Sequence, residues 1–233
     1  MQLLWEGLKQ SIILLFSGDP EVLQITLLSL QVSGLATAIS LGLGLPIGSL
    51  LALGSFPTRR FWISLANTGM ALPPVVVGLV VSIFLWRSGP LGDLNWIYTT
   101  TAMVVAQTII AAPVVTGLTV SALQQLDPRL RQQLLGLGAS RLQMVLALWR
   151  EARLPLLAAL MAAFGSVISE IGASMMVGGN IRYHTRVLTT AIATATSQGD
   201  FALALALSGI LLLMAYLINL TLTWIQQRNV RKG

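Results

Sequence analysis

Few residues in this chain can do chemistry, and many of those that can fall within one stretch, SEIGASMMVGGNIRYHTRVLTT, residues 169–190. Glu170 is a lone carboxylate inside an otherwise apolar run. After it come Asn180, Arg182, His184, Thr185, Arg186, Thr189 and Thr190. Guanidinium and hydroxyl groups are the donors an anion needs. The same residues also read as a surface loop facing lipid headgroups or a docking protein. Glu170 has two readings: a buried latch paired with Arg182 or Arg186, or a group near the outer headgroups. Like charges repel, so it is not expected to bind an anion directly. His184, the single histidine, sits beside Tyr183 and reads as solvent-facing, which suggests no metal site. With no cysteine there is neither a disulfide nor a thiolate site. The phosphate-loop pattern G-x-x-x-x-G-K-[ST] is absent, and the two lysines, Lys9 and Lys232, stand near the chain ends. The chain reads as something other than an enzyme, with no ATP site of its own.

The elements that carry these residues are apolar. Of 233 residues, 55% are hydrophobic and 9% charged, and mean hydropathy is +0.80. Soluble domains carry about 25% charged residues. No charge occurs over Val22–Thr58, Phe61–Trp86, Leu94–Leu126 or Phe201–Gln227, and Leu154–Ile181 is interrupted only by Glu170. Each run exceeds the roughly 20 residues that a spanning helix needs. The expectation is an all-α integral membrane protein with five spans, over about 22–53, 61–86, 96–123, 154–177 and 201–226. The first is one long or tilted helix. A β-barrel would show segments of about 10 residues with alternating polarity, and these are continuous.

Five spans place the termini on opposite sides. Arg59, Arg60, Arg129, Arg131, Arg141, Arg150, Arg153, Arg228, Arg231 and Lys232 share one side, leaving Lys9, Arg87, Arg182 and Arg186 on the other. The positive-inside bias makes the first side cytoplasmic and the N-terminus external. Net charge of +6 therefore reports topology rather than nucleic-acid binding. Residues 1–17 read as an amphipathic helix at the outer interface, with a sixth span as the alternative.

The loop at 124–153 is the one large cytoplasmic feature, and it is locally specified. Asp127-Pro128 signals a helix start, and Gly136 and Gly138 signal its end. Ser140 followed by Gln143 forms a capping-box pattern. Leu142, Val145, Leu146 and Trp149 then form a stripe expected to face the bundle. This is a helix-turn-helix elbow, whereas a loop that only fixed topology would need charge alone. Elsewhere, Pro73-Pro74 and Pro113 are expected to break the second and third spans. Breaks inside a membrane are tolerated where protein or a cavity satisfies the backbone, so they line a path or are packing kinks.

Residues 132–158, QQLLGLGASRLQMVLALWREARLPLLA, resemble the coupling loop of ABC importer permeases. Its signature is Glu-Ala-Ala, three residues, Gly, and a stretch closing in Leu-Pro. Gly138-Ala139 and Leu154-Pro155 match. Gln132-Gln133-Leu134 stands where Glu-Ala-Ala does, and the interval to Pro155 is longer than in the commonest version. Residues 169–207 and the Arg-Glu-Ala-Arg at 150–153 are similar to the tungstate branch of tungstate and molybdate permeases. That branch runs acid-x-Gly-Ala, Gly-Asn-Ile, Thr-Arg-x-Leu. On this resemblance, from about residue 20 to the end, the chain is identified as a member of the tungstate-type permeases. The resemblance implies a type I ABC importer permease in a prokaryotic inner membrane. It implies a homodimer, an ABC ATPase dimer that holds ATP and magnesium, and an external oxyanion-binding protein. No cofactor is implied in this chain. Gln132, Gln133, Gly136, Gly138, Ala139, Ser140, Arg141 and Pro155 would form the ATPase-coupling loop. Candidates for the path or gate are Pro73, Pro74, Pro113, Glu170, Asn180, Arg182, Thr185, Arg186, Thr189 and Thr190. The competing class is a secondary transporter or channel without an ATPase. It would show paired discontinuous repeats and more charges within the membrane.

Overall fold

The computed structural model describes residues 19–230, with the isolated residues Trp5 and Lys9. Apart from those two, the helix expected over 1–17 lies outside the described residues. The described chain is helical: α1 (Pro20–Leu53), α2 (Arg59–Gly69), α3 (Pro74–Leu85), α4 (Thr100–Gln124), α5 (Pro128–Gly136), α6 (Arg141–Glu151), α7 (Arg153–Ile168), α8 (Gly172–Gly178), α9 (Leu188–Ser197) and α10 (Phe201–Val230), with one 3-10 turn at Gly92–Leu94. α1, α4 and α10 are each long and apolar enough to cross a membrane.

α1 starts where Asp19 Oδ1 accepts from the amides of Glu21 (2.8 Å) and Val22 (3.2 Å), with Pro20 in the first turn. At 34 residues it is about 50 Å long, well over the roughly 30 Å of hydrocarbon. It packs along α4 with residue numbers rising together. A Cβ on Gly44 would lie 2.7 Å from Val115 Cβ, and one on Gly48 2.7 Å from Thr119 Cβ. The two helices therefore run parallel at close approach, and the chain between them must return. This defines two faces. One carries the end of α1 and the elbow, and the other carries Glu21 and the loops at 86–99 and 179–187.

The return segment, expected as the span 61–86, is α2 and α3 bent by 101°. Consecutive Pro73 and Pro74 remove two successive amide donors, so the ladder stops there. Pro113 does not act this way and corrects the expectation. α4 is continuous through it, because one missing donor in a helix packed on several sides costs a single bond. The Pro113 ring instead seats Gly69, where a Cβ would meet it at 2.7 Å. The expected span 154–177 is likewise divided, into α7 and α8 around Ser169–Ile171. Pro155 lies in the first turn of α7, where no amide donor is required. α6 and α7 meet at 77°.

α9 was not expected from the sequence. After the 179–187 loop the chain dips inward, so that Leu188 N donates 2.8 Å to Ser29 Oγ. Ser29 lies ten residues along α1 from Asp19, about 15 Å in. α9 then climbs back, and Gly199, with φ +77°, turns the chain into α10.

Candidate functional site

The elbow is built as its caps dictate. Asp127 Oδ1 accepts from Arg129 N at 2.8 Å. α5 closes with Gly138 N donating to Leu135 O (3.0 Å) and Ala139 N to Leu134 O (3.1 Å). That paired closure puts Gly138 at φ +81°, a left-handed conformation natural to glycine. Ser140 N donates to Gln143 Oε1 (2.8 Å) and Gln143 N to Ser140 Oγ (3.3 Å), the reciprocal capping box.

The stripe on α6 differs from expectation. Met144, Leu148 and Ala152 are buried against Ala122 and Leu123 of α4, with Val145 and Trp149 alongside. Leu142 and Leu146 turn outward instead. RLQMVLALWRE is apolar on two faces, so periodicity alone allows two rotations. The choice is made by the packing of Met144, Leu148 and Ala152 on Ala122 and Leu123; Trp149, at the edge shared by both faces, donates 2.8 Å from Nε1 to Ser49 Oγ on α1. Leu142 and Leu146 are therefore exposed, as are Leu135 at the end of α5 and Leu137 in the turn, the last at 85%. Gln132, Gln133, Gly136, Ser140 and Arg141 are exposed with them, and Ala139 partly so.

Two guanidiniums bind the elbow side of α1. Arg131 Nη1 donates to Leu53 O (2.8 Å). Arg59 donates to Leu51 O (Nε, 2.6 Å) and Ala52 O (Nη2, 3.1 Å). Cations at the final carbonyls of a helix both satisfy those acceptors and complement its dipole.

On the opposite face, Arg182 grips Glu21 with two parallel bonds, one of them Nε to Oε1 at 2.8 Å. The hydrogen bond first, and then the charge of Glu21, raise Arg182 above the ordinary arginine value. Arg186 Nη1 lies 3.7 Å from Glu21 Oε1 and its Nε donates to Asn180 Oδ1 (3.3 Å). Asn180 Nδ2 in turn donates to Thr194 Oγ1 (2.6 Å). The threonines are committed internally. Thr185 donates to Gly178 O and accepts from Ile181 N, Thr190 accepts from Val187 N, and Thr189 donates to Glu170 O. This cluster is a fastening of the re-entrant segment to α1, with its hydroxyls already spent.

Glu170 is 7% exposed and lies in the α7–α8 break, where Oε1 accepts from Ala173 N at 2.8 Å. The latch to Arg182 or Arg186 is not formed, because both arginines face Glu21. Glu170 lies beside Thr189, whose Oγ1 donates to its backbone carbonyl at 2.8 Å. Nothing in the local sequence pairs residue 21 with residue 182, so Glu21 was missed.

The comparisons with known proteins bear on this arrangement. The family model described as binding-protein-dependent transport system inner membrane component matches residues 44–232. The chain belongs to that family. A tungstate uptake system permease protein TupB from Peptoclostridium acidaminophilum is 39% identical over 97% of this chain and 100% of its own length. A probable anion ABC transporter permease protein from Haloferax volcanii is 40% identical over 85% of this chain and 88% of its own. In fold, the chain resembles the inward-facing MetNI methionine ABC transporter. The TM-score is 0.75 at 20% identity, covering 91% of this chain and 98% of that one. Among the described residues, two features stand out from the continuous helices, the elbow and the breaks in the bent helix pairs. Those two hold most of the residues singled out from sequence. Pro73 and Pro74 lie at one break and Glu170 at the other, within reach of each other through Gly172 and Val75. Pro113 lies apart from both, in contact with Gly69.

Proposed function

We propose that this chain is the permease subunit of an ATP-driven oxyanion importer, with tungstate as the transported ion. Two copies form the path, since five crossings are few to enclose one. A separate pair of ABC subunits holds ATP and magnesium, and an extracytoplasmic binding protein delivers the ion. The elbow face is cytoplasmic and the N-terminus external, a reading that the bias of arginines to the elbow side supports. The backbone breaks at 70–73 and 169–171 line the path.

The observation that carries this reading is the elbow tip. Two capped helices hold Leu135, Leu137, Leu142 and Leu146 out from the body among Gln132, Gln133 and Arg141. Apolar side chains on a rigid, capped, arginine-rich projection suit a partner's groove. The assignment to tungstate draws on the 39% identical relative. The test is reconstitution of permease, ATPase and binding protein in liposomes, with tungstate, molybdate and sulfate in competition. ATP-dependent uptake that needs all three proteins and prefers tungstate is expected. Leu137→Asp should release the ATPase. Oxyanion flux through the permease alone would overturn the reading.

A further inference from the structure

On the face opposite the elbow, hydroxyls and guanidiniums are used differently. Thr185, Thr189 and Thr190 are bonded to backbone groups of their own segment. Arg182 and Arg186 instead reach across to a single carboxylate, that of Glu21 on α1. The Arg182 side chain is 57% exposed, and Arg186 comes only within 3.7 Å of Glu21. Exposed ion pairs add little stability and are screened by salt.

The loop at 179–187 does not depend on that carboxylate for its place. Gln24 Nε2 donates 2.7 Å to Tyr183 O, and Ser29 Oγ accepts from Leu188 N at 2.8 Å. Glu21 can therefore turn away while the two arginines keep their positions.

Beside the arginines lies a cavity of about 260 Å³ between the start of α1, α9 and α10. Arg182, Arg186 and Gln198 give it donors, and Val22, Ile25 and Leu207 give it apolar wall. Its two acids are Asp19 and Glu21. Asp19 Oδ1 is held by the amides of Glu21 and Val22, so Glu21 is the acid that can move. Two arginines and two acids make the resting cavity neutral. With Glu21 turned out to solvent, one positive charge is left in excess. Guanidinium groups hold carboxylates and tetrahedral oxyanions through the same paired bonds, so the carboxylate stands where an oxyanion would bind.

We propose that Arg182 and Arg186 form an outer oxyanion site, with Glu21 as its built-in competitor. An oxyanion released at this face exchanges with the carboxylate and rests against the two guanidiniums before it enters the path. Competition from Glu21 keeps the hold weak, which leaves tight capture to the binding protein and lets the ion move on. The inference rests on the importer reading above, which makes this face external.

The test measures binding of labelled tungstate to the intact complex of permease and ATPase in nanodiscs, without ATP or binding protein. Glu21→Gln should tighten binding about tenfold, the order expected for one charge removed at close range in a partly exposed site. Adding Arg182→Gln and Arg186→Gln should abolish the gain. Asp93→Asn, which removes an exposed acid from the 86–99 loop of the same face, should change affinity less than twofold. In the wild-type complex, millimolar tungstate should slow modification of Arg182 by a dicarbonyl reagent and leave the exposed Arg87 unaffected. That measurement decides the matter if Glu21→Gln does not fold. Affinity of Glu21→Gln within twofold of wild type overturns the proposal, and so does a gain that survives loss of both arginines or is matched by Asp93→Asn. Unchanged modification of Arg182, or equal slowing at Arg87, also overturns it. The phosphate of a lipid headgroup shares the chemistry of the free ion, and repeating the measurement in lipid-free detergent separates the two. The gain should be the same there; a gain found only without lipid would assign the site to headgroups and overturn the proposal. Failure of the importer reading shows separately, as absence of ATP-dependent uptake by the wild-type complex with its binding protein.

Discussion

Gly136 and Gly138 stand two residues apart in the elbow, and replacing each by alanine should act with opposite sign. A Cβ at either position would meet nothing within 4 Å, so sterics drop out and only the backbone remains. Gly138 has φ +81°, where a Cβ costs roughly 1–2 kcal/mol. Gly136 ends the helical run of α5, where alanine is favoured by up to about 1 kcal/mol. The amides that report the closure are Gly138 N and Ala139 N, which donate to Leu135 and Leu134. Hydrogen exchange over residues 128–140, on protein in nanodiscs, reads their local opening. Gly138→Ala should speed exchange about 5- to 30-fold, the factor that corresponds to 1–2 kcal/mol. Gly136→Ala should slow it by up to about fivefold. Unchanged or slower exchange in Gly138→Ala would refute the backbone assignment, and so would faster exchange in Gly136→Ala.

Gly48→Leu should lower the thermal unfolding midpoint in detergent by overpacking, at about 1–3 kcal/mol or more, since even a Cβ there falls 2.8 Å from Thr116 O. Trp149→Phe should destabilise by roughly 0.5–1.5 kcal/mol for the lost hydrogen bond. Ser49 Oγ keeps its bond to Leu45 O, so a much larger loss in denaturant unfolding would mean that Trp149 holds the elbow by more than this bond, and no loss would mean that the elbow docks by other means. Arg182→Ala should leave the unfolding midpoint unchanged, because its pair with Glu21 is solvent-exposed and screened. A clear fall would show that the pair fastens the re-entrant segment on its own.

The features legible in sequence were the local ones. Asp127-Pro128, Gly138 and Ser140 with Gln143 each act through bonds within four residues, so the elbow's caps could be read letter by letter. The rotation of α6 could not. Leu142 and Leu146 are as apolar as Met144 and Leu148, and only the fit against Ala122 and Leu123 of α4 distinguishes the two faces. The same limit hid Glu21, whose partner is 161 positions distant, and α9, whose Thr-rich sequence lacks a helix-start signal because Ser29 on α1 supplies the bond to Leu188 N.

By itself, then, the sequence determined that the chain is an apolar helical membrane component, where its long helices lie, and that a shaped elbow interrupts them. Burial of apolar runs and capping of helix ends are local energies, written in composition and short spacings. Tertiary structure alone decided which leucines face outward, that α4 runs on through Pro113 while Pro73-Pro74 breaks a helix, and that Glu170 accepts from the first turn of α8 instead of from Arg182. These outcomes depend on which distant donor or acceptor lies within about 3 Å, a distance set by the packing of whole helices.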